Sequence, residues 1–261
     1  MLTSILFPFL ILSSALQALV LEDIEKSETL ISTFQAKRIG YYIGSFDPLH
    51  KGHEVIARQV IDEGYCDYVI VVPAWGTTDQ NKSRSNTELR LDMLFASFAD
   101  DPHIIVTRKN PLQLQQALTE DAPERKVLGK STVKTIIPDA RFVGVVGSDV
   151  VIETAKSERK CAVFMEGIKI GNSHKDTSVG TALALPVEEF IVSVRDEDDL
   201  LPFEGKFCNR PIIKEIRTPF HDLSATRIRQ LVKEHKSIDG LVNEGVKNII
   251  MSHNLYNFND S

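Results

Sequence analysis

Two histidines, His50 and His53, stand three residues apart in GSFDPLHKGH, residues 44–53. At helical periodicity that spacing puts both imidazoles on one side of an incipient helix. The neighbours suit an anion. Gly44 permits a tight turn, and Ser45 and Phe46 offer backbone N–H groups. The Asp47-Pro48 step fixes the chain direction, because proline keeps its predecessor out of the helical region. Gly52 lets a ligand approach the backbone, and the helix start adds roughly half a positive charge. The chemistry this suggests is holding the phosphates of a nucleotide. Two plainer readings compete. A metal pair lacks a third ligand nearby, so no metal site is assigned. A solvated surface pair fits an arbitrary HxxH, but not one set among Gly, Phe-Asp-Pro and Gly in this register.

The surrounding chain must position such a site. RIGYYIGSF reads as a short strand, and HEVIARQVIDEG as a helix with Val55, Ile56, Val60 and Ile61 on one stripe, stopped by Gly64. DYVIVVPA is a continuous apolar run, as in strands buried on both faces. NTELRLDMLFASF reads as a helix capped by Asn86 or Thr87, with Leu91, Leu94, Phe95 and Phe98 on a face. HIIVTR is a strand, KSTVKTIIPD a short helix capped by Ser131, and RFVGVVGSD a strand. Strand and helix thus alternate four times in about 110 residues, the pattern of an α/β, Rossmann-like, doubly wound parallel sheet. Ligands in such sheets sit beyond the carboxyl ends of the strands, where GSFDPLHKGH and GSDV both fall. Residues 160–186 break the rhythm and read as an insertion. EEFIVSVR and IIKEIRTPF resume strand character, and SATRIRQLVKEH and NEGVKNIIMSHNLY read as C-terminal helices.

Composition sets bounds. Of 261 residues, 43% are hydrophobic and 25% charged, ordinary for a globular protein, and the net charge is −6. That balance argues against a nucleic-acid surface, which needs phosphate neutralisation. Cys66, Cys161 and Cys208 show no metal spacing and read as three free thiols. Residues 1–22 form an apolar leader, either a signal peptide or an anchor that could tether the chain to a membrane. Residues 23–37 read as a linker and 38–256 as the main domain. With Lys37 and Arg38 as its basic flank, that domain is expected on the cytoplasmic face.

GSFDPLHKGH resembles the GxFDPxHxGH signature of the nucleotidyltransferase superfamily, which includes nicotinate-nucleotide and pantetheine-phosphate adenylyltransferases. LSATRIR, residues 223–229, is similar to its second motif, ISSTxIR. VVGSD, VPAWGTTDQNKSR and the C-terminal SIDGLVNEGVKNIIMSHNLY resemble the nicotinate branch. The resemblance implies attack of an acceptor phosphate on the α-phosphorus of ATP, with release of pyrophosphate. It implies that His50 and His53 contact the ATP phosphates, with His53 the transition-state stabiliser. Ser224, Thr226 and Arg229 would hold the β- and γ-phosphates, with Arg227 at a variable position. Gly147, Ser148 and Asp149 would lie by the ribose or adenine, and Mg²⁺ would ride on the triphosphate. The implied partner is a small mononucleotide, nicotinate mononucleotide first and pantetheine phosphate or another phosphate ester second. A nucleotide-binding protein without catalysis is the reading from a different class. The chain departs from the pattern at Ala225, which replaces a serine. It departs again in the acceptor loop, where only Lys82 remains of Pro-Pro-His-Lys, in the lack of a tryptophan after GSD, and in residues 160–186.

Overall fold

The computed structural model describes residues 34–74, 78–79, 82–108, 114, 118–121, 133–135, 137–166, 186–195 and 204–257. The leader, residues 1–22, lies outside them. No helix among the described residues is long and apolar enough to cross a membrane.

β1 (Arg38–Gly44) buries its five interior residues. It lies inside the sheet, pairing in parallel with β2 (Tyr68–Pro73) on one side and with the central strand β8 (Arg141–Gly147) on the other. β5 (Ile104–Val106), β9 (Val187–Ser193) and β11 (Arg210–Ile216) extend it in parallel, and β10 (Lys206–Phe207) closes one edge antiparallel to β11. The seven-stranded order is β10-β11-β9-β8-β1-β2-β5. The parallel α/β sheet read from the alternating pattern is therefore present, and its strands show why those runs were continuously apolar. Period-two alternation sends Tyr42, Val69, Val71, Val143, Val145 and Ile191 to one face and Tyr41, Ile70, Val72, Phe142, Val146 and Val192 to the other, and both faces are covered.

α1 (Lys51–Asp62), α2 (Thr87–Phe98), α5 (Ala225–Lys233) and α6 (Glu244–Ser252) supply the first cover. α3 (Ser148–Thr154) and α4 (Glu158–Glu166) contribute Val151 and Phe164 to the second. α1 buries Ile56, Ala57 and Val60, while Val55 and Ile61 are only half-buried, so the stripe is turned slightly from the expected one. Gly64, at φ +73°, sits just beyond the helix end, where a left-handed residue is needed. Asn86 is the α2 cap, its side chain accepting from the Glu88 N–H at 3.0 Å.

Several expectations are corrected. Within KSTVKTIIPD, residues 130–139, read as a short helix, lies instead strand β7 (Val133–Thr135), antiparallel to β6 (Thr119–Asp121); Ser131 lies outside the described residues. β-branched Val133 and Thr135 favour extended backbone once a partner strand is present. A second small pair joins β3 (Thr78–Asp79) to β4 (Lys82–Ser83). The end of the linker belongs to the domain: Phe34 is buried edge-on against Tyr68, and the Ala36 N–H donates to the Pro138 carbonyl. The region read as an insertion opens inside α4, while residues 167–185 lie outside the description. Nor are there three free thiols. Cys161 on α4 is disulfide-bonded to Cys208 in the β10–β11 turn, and only Cys66 is free, buried in the core. Sequence spacing could not reveal that pair, because the β10–β11 hairpin brings Cys208 beside a helix 47 residues earlier.

The bond closes a long loop, so Cys208→Ser should lower unfolding stability by about 2–4 kcal/mol. Guanidinium unfolding of the variant, compared with wild type with and without reductant, reads this. Equal stability in all three would mean that the bond does not form.

Candidate active site

β1 and β8 are neighbours, but the chain leaves them toward opposite faces, into α1 from β1 and into α3 from β8. Strand order reverses there, leaving a crevice at the strand ends. A cavity of about 430 Å³ occupies that crevice. Gly44 at the end of β1 and Ser45 and Phe46 just after it line it, with His50 at the cap of α1 and His53 in its first turn. Gly147 and Asp149 approach from β8, and Ser224, Thr226 and Arg229 from the start of α5. Motifs up to 185 residues apart in the chain thus meet around one space.

The imidazoles of His50 and His53 are stacked, with ring centroids 3.6 Å apart and planes 26° from parallel. The backbone N–H of His50 donates to His53 Nδ1 at 3.3 Å, which requires that nitrogen to be unprotonated and leaves Nε2 as the donor. Phe46 lies edge-on to His53 at 5.0 Å. His50 is 4% exposed, and its Nδ1 is buried without a hydrogen-bond partner among the described residues. Burial, reinforced by the charge of Arg195, lowers the His50 pKa to about 3. Burial also holds His53 well below its usual value, followed by the His50 and Arg195 charges. Both rings are therefore neutral donors at neutral pH. Gly52 serves this pair directly: a Cβ there would stand 3.1 Å from two atoms of the His50 ring.

The loop before the helix is fastened from several directions. The Asp47 carboxylate is buried, accepting from the Tyr256 hydroxyl at 2.7 Å and the Ser85 N–H at 3.0 Å. Its backbone carbonyl accepts from Arg229 Nη1 at 2.6 Å, while Arg229 Nη2 donates to Thr226 Oγ1 at 3.1 Å. Arg90, fully buried, donates to the carbonyls of Ser45 at 2.9 Å and Ala74 at 2.7 Å, and burial lowers its pKa to about 10. Arg84 Nε reaches Ser45 Oγ at 3.1 Å from the cavity wall.

The other expected residues fall as follows. Ser224 caps α5, its Oγ accepting from the Arg227 N–H at 3.2 Å; Arg227 itself is exposed and off the cavity. Asp149 folds back so closely that a Cβ at Gly147 would stand 2.5 Å from its Oδ1. Ser148 does not reach the cavity: it is buried, its hydroxyl without a partner among the described residues. Lys82 lies in β4, and its side chain is outside the description. No cluster of three His, Cys, Asp or Glu able to hold a metal occurs among the described residues.

Arg195, like Arg84, is a cavity residue that sequence reasoning missed. It follows β9, lines the cavity and lies 3.8 Å from Asp149. Its place at the carboxyl end of a parallel strand was the available signal, since EEFIVSVR was read only as a strand.

The cytidylyltransferase-like family profile matches residues 41–231, which include every residue that lines the cavity. The chain belongs to this family. A relative in Fusobacterium nucleatum, named "Probable nicotinate-nucleotide adenylyltransferase", is 25% identical over 82% of this chain and 96% of its own length. One of the same name in Rubrobacter xylanophilus is 26% identical over 84% of this chain and 92% of its own length. Among solved structures, the Plasmodium falciparum nicotinic acid mononucleotide adenylyltransferase complexed with NaAD superposes with a TM-score of 0.53. At 18% identity, over 85% of this chain and 98% of that one, it supports the fold alone.

A histidine kept neutral in the fold but free to protonate when unfolded makes stability pH-dependent. The unfolded state binds the extra proton below about pH 6.5, so the His50 contribution is present above that pH and is lost as pH falls toward 3. His50 alone should cost the fold about 2 kcal/mol between pH 7 and pH 5. Denaturant unfolding of wild type and His50→Gln across that range should show a shallower fall in the variant. Parallel curves would mean that His50 is not held neutral.

Proposed function

We propose that the chain is an ATP-dependent nucleotidyltransferase that transfers AMP from ATP to nicotinate mononucleotide and releases pyrophosphate, a step in NAD biosynthesis. The observation that carries this reading is the stacked, neutral His50–His53 pair, which lines the same cavity as Arg229 and the start of α5. Imidazoles at a helix start on one side, with a guanidinium and a second helix start on the other, suit an extended polyphosphate. The names of the relatives, probable nicotinate-nucleotide adenylyltransferases, support adenylyl transfer with a nicotinate nucleotide as acceptor.

In this reading an acceptor phosphate oxygen attacks the α-phosphorus in line. The new P–O bond forms as the bond to the bridging oxygen of pyrophosphate breaks, with no covalent enzyme intermediate. His50 and His53 donate hydrogen bonds to phosphate oxygens, with His53 as the group that stabilises the transition state. Being neutral, they add directed donors rather than charge; Arg229 and Arg195 supply the charge. Gly44, Ser45 and Phe46 wall the phosphate side, and Ser224 and Thr226 the β- and γ-phosphates. Gly147 and Asp149 lie toward the ribose or base. Lys82 is the acceptor-side cation. Mg²⁺ would accompany the triphosphate as its counter-ion. The acceptor loop departs from the family pattern at all but Lys82, which favours pantetheine phosphate or another small phosphate ester as the second reading.

Need for ATP places the domain on the cytoplasmic side in this account. The Cys161–Cys208 bond pulls the other way, because such bonds persist chiefly in oxidising compartments.

Purified protein given ATP and a panel of nicotinate, nicotinamide and pantetheine phosphate acceptors should release pyrophosphate, with the highest kcat/KM for nicotinate mononucleotide. His53→Ala should keep its fold and lose at least about a hundredfold in kcat. Near-normal turnover in that variant would remove the catalytic role of His53, and a clear preference for phosphopantetheine would replace the acceptor.

A further inference from the structure

Arg229 reaches the cavity from α5, but its orientation is set elsewhere. Nη1 donates to the backbone carbonyl of Asp47, 182 residues away in sequence, at 2.6 Å. That carbonyl is only as well placed as Asp47, whose carboxylate is held on one oxygen by Ser85 N–H and on the other by the Tyr256 hydroxyl. Tyr256 comes from the last described turn, after α6, 209 residues from its partner. Its backbone lies at φ +67°, a left-handed conformation that bulky residues rarely adopt, and Asn254 two residues earlier is also left-handed at φ +49°. Two such turns in three residues swing the ring inward until it is 6% exposed, with its hydroxyl on the buried carboxylate. Strain of this kind persists where the surrounding contacts over-determine it. Without the hydroxyl, one carboxylate oxygen would be buried and unmet, at a cost greater than the loss of an exposed hydrogen bond.

We propose that Tyr256 is a positioning residue for the nucleotide site: its hydroxyl pins Asp47, and Asp47 in turn aims the Arg229 guanidinium at the phosphates. Tyr256 does not line the cavity and acts through two intermediaries, so its loss should fall on the triphosphate donor and spare the acceptor. The C-terminal segment is then part of the active site's support.

This inference rests on the nucleotidyl-transfer reading. The test is Tyr256→Phe, which removes one oxygen and keeps the ring. Calorimetry with a non-hydrolysable ATP analogue and steady-state kinetics should show a Kd and a KM for ATP raised about tenfold, the scale of one lost buried hydrogen bond, with the acceptor KM unchanged. In an Asp47→Ala background the same substitution should add no further loss, because the link it acts through is gone. ATP affinity equal to wild type, or a melting temperature that falls while both KM values hold, would overturn the proposal; so would full additivity of the two substitutions. Wild-type protein that binds the analogue but transfers nothing would remove the enzymatic reading and leave the clamp to be judged by analogue affinity alone. Wild-type protein that binds no analogue would overturn both.

Discussion

A carboxylate removed from water must have its oxygens met, or the fold loses several kcal/mol. Asp47 is such a group, and meeting its needs joins the distant parts of this structure. Ser85 brings the segment before α2, Tyr256 brings the C-terminal turn, and Arg229 brings α5 to the same residue's carbonyl. Arg90 performs the matching task one step away. Fully buried, it spreads its donors over Ser45, Ala74, Ser85 and Thr87 and so ties the end of β2 to the loop after β1. The cavity has fixed walls because these two buried charges leave the loop little freedom.

That rigidity has an electrostatic consequence for the imidazole pair. His50 and His53 stack on each other in a largely desolvated corner of the site, beside the Arg195 guanidinium. Each of those circumstances disfavours a proton, so the pair is set to direct hydrogen bonds rather than to titrate. Positive charge comes from arginines, which keep theirs at every physiological pH. The division suits a reaction in which negative charge is moved between phosphate oxygens while no proton need enter the bond-making step.

The sequence carried the frame of this arrangement well. The continuous apolar run at residues 67–74 read as a strand buried on two faces and RFVGVVGSD as a second strand, and polar motifs at strand ends in such a sheet converge by topology. The spacing of His50 and His53 was equally local and equally legible, whereas the capping role of Ser224 emerged only with the fold. What stayed hidden depends on contacts across the fold. Arg195 is an ordinary residue after a strand until β9 sets it beside Asp149. Cys161 and Cys208 look unrelated until the β10–β11 hairpin turns. Val133–Thr135 lost its expected helix to a partner strand, and Ser148 sat in the right motif but pointed into the core.

The central claim is that the crevice between β1 and β8 holds a nucleoside triphosphate by its phosphates. A crystal structure of the chain with a non-hydrolysable ATP analogue tests it most directly. The account predicts phosphate oxygens within hydrogen-bond distance of an imidazole nitrogen of the His50–His53 pair and of Arg229, with the base toward Gly147 and Asp149. An analogue bound outside this crevice, or inside it with both imidazoles touching no phosphate oxygen, would contradict it.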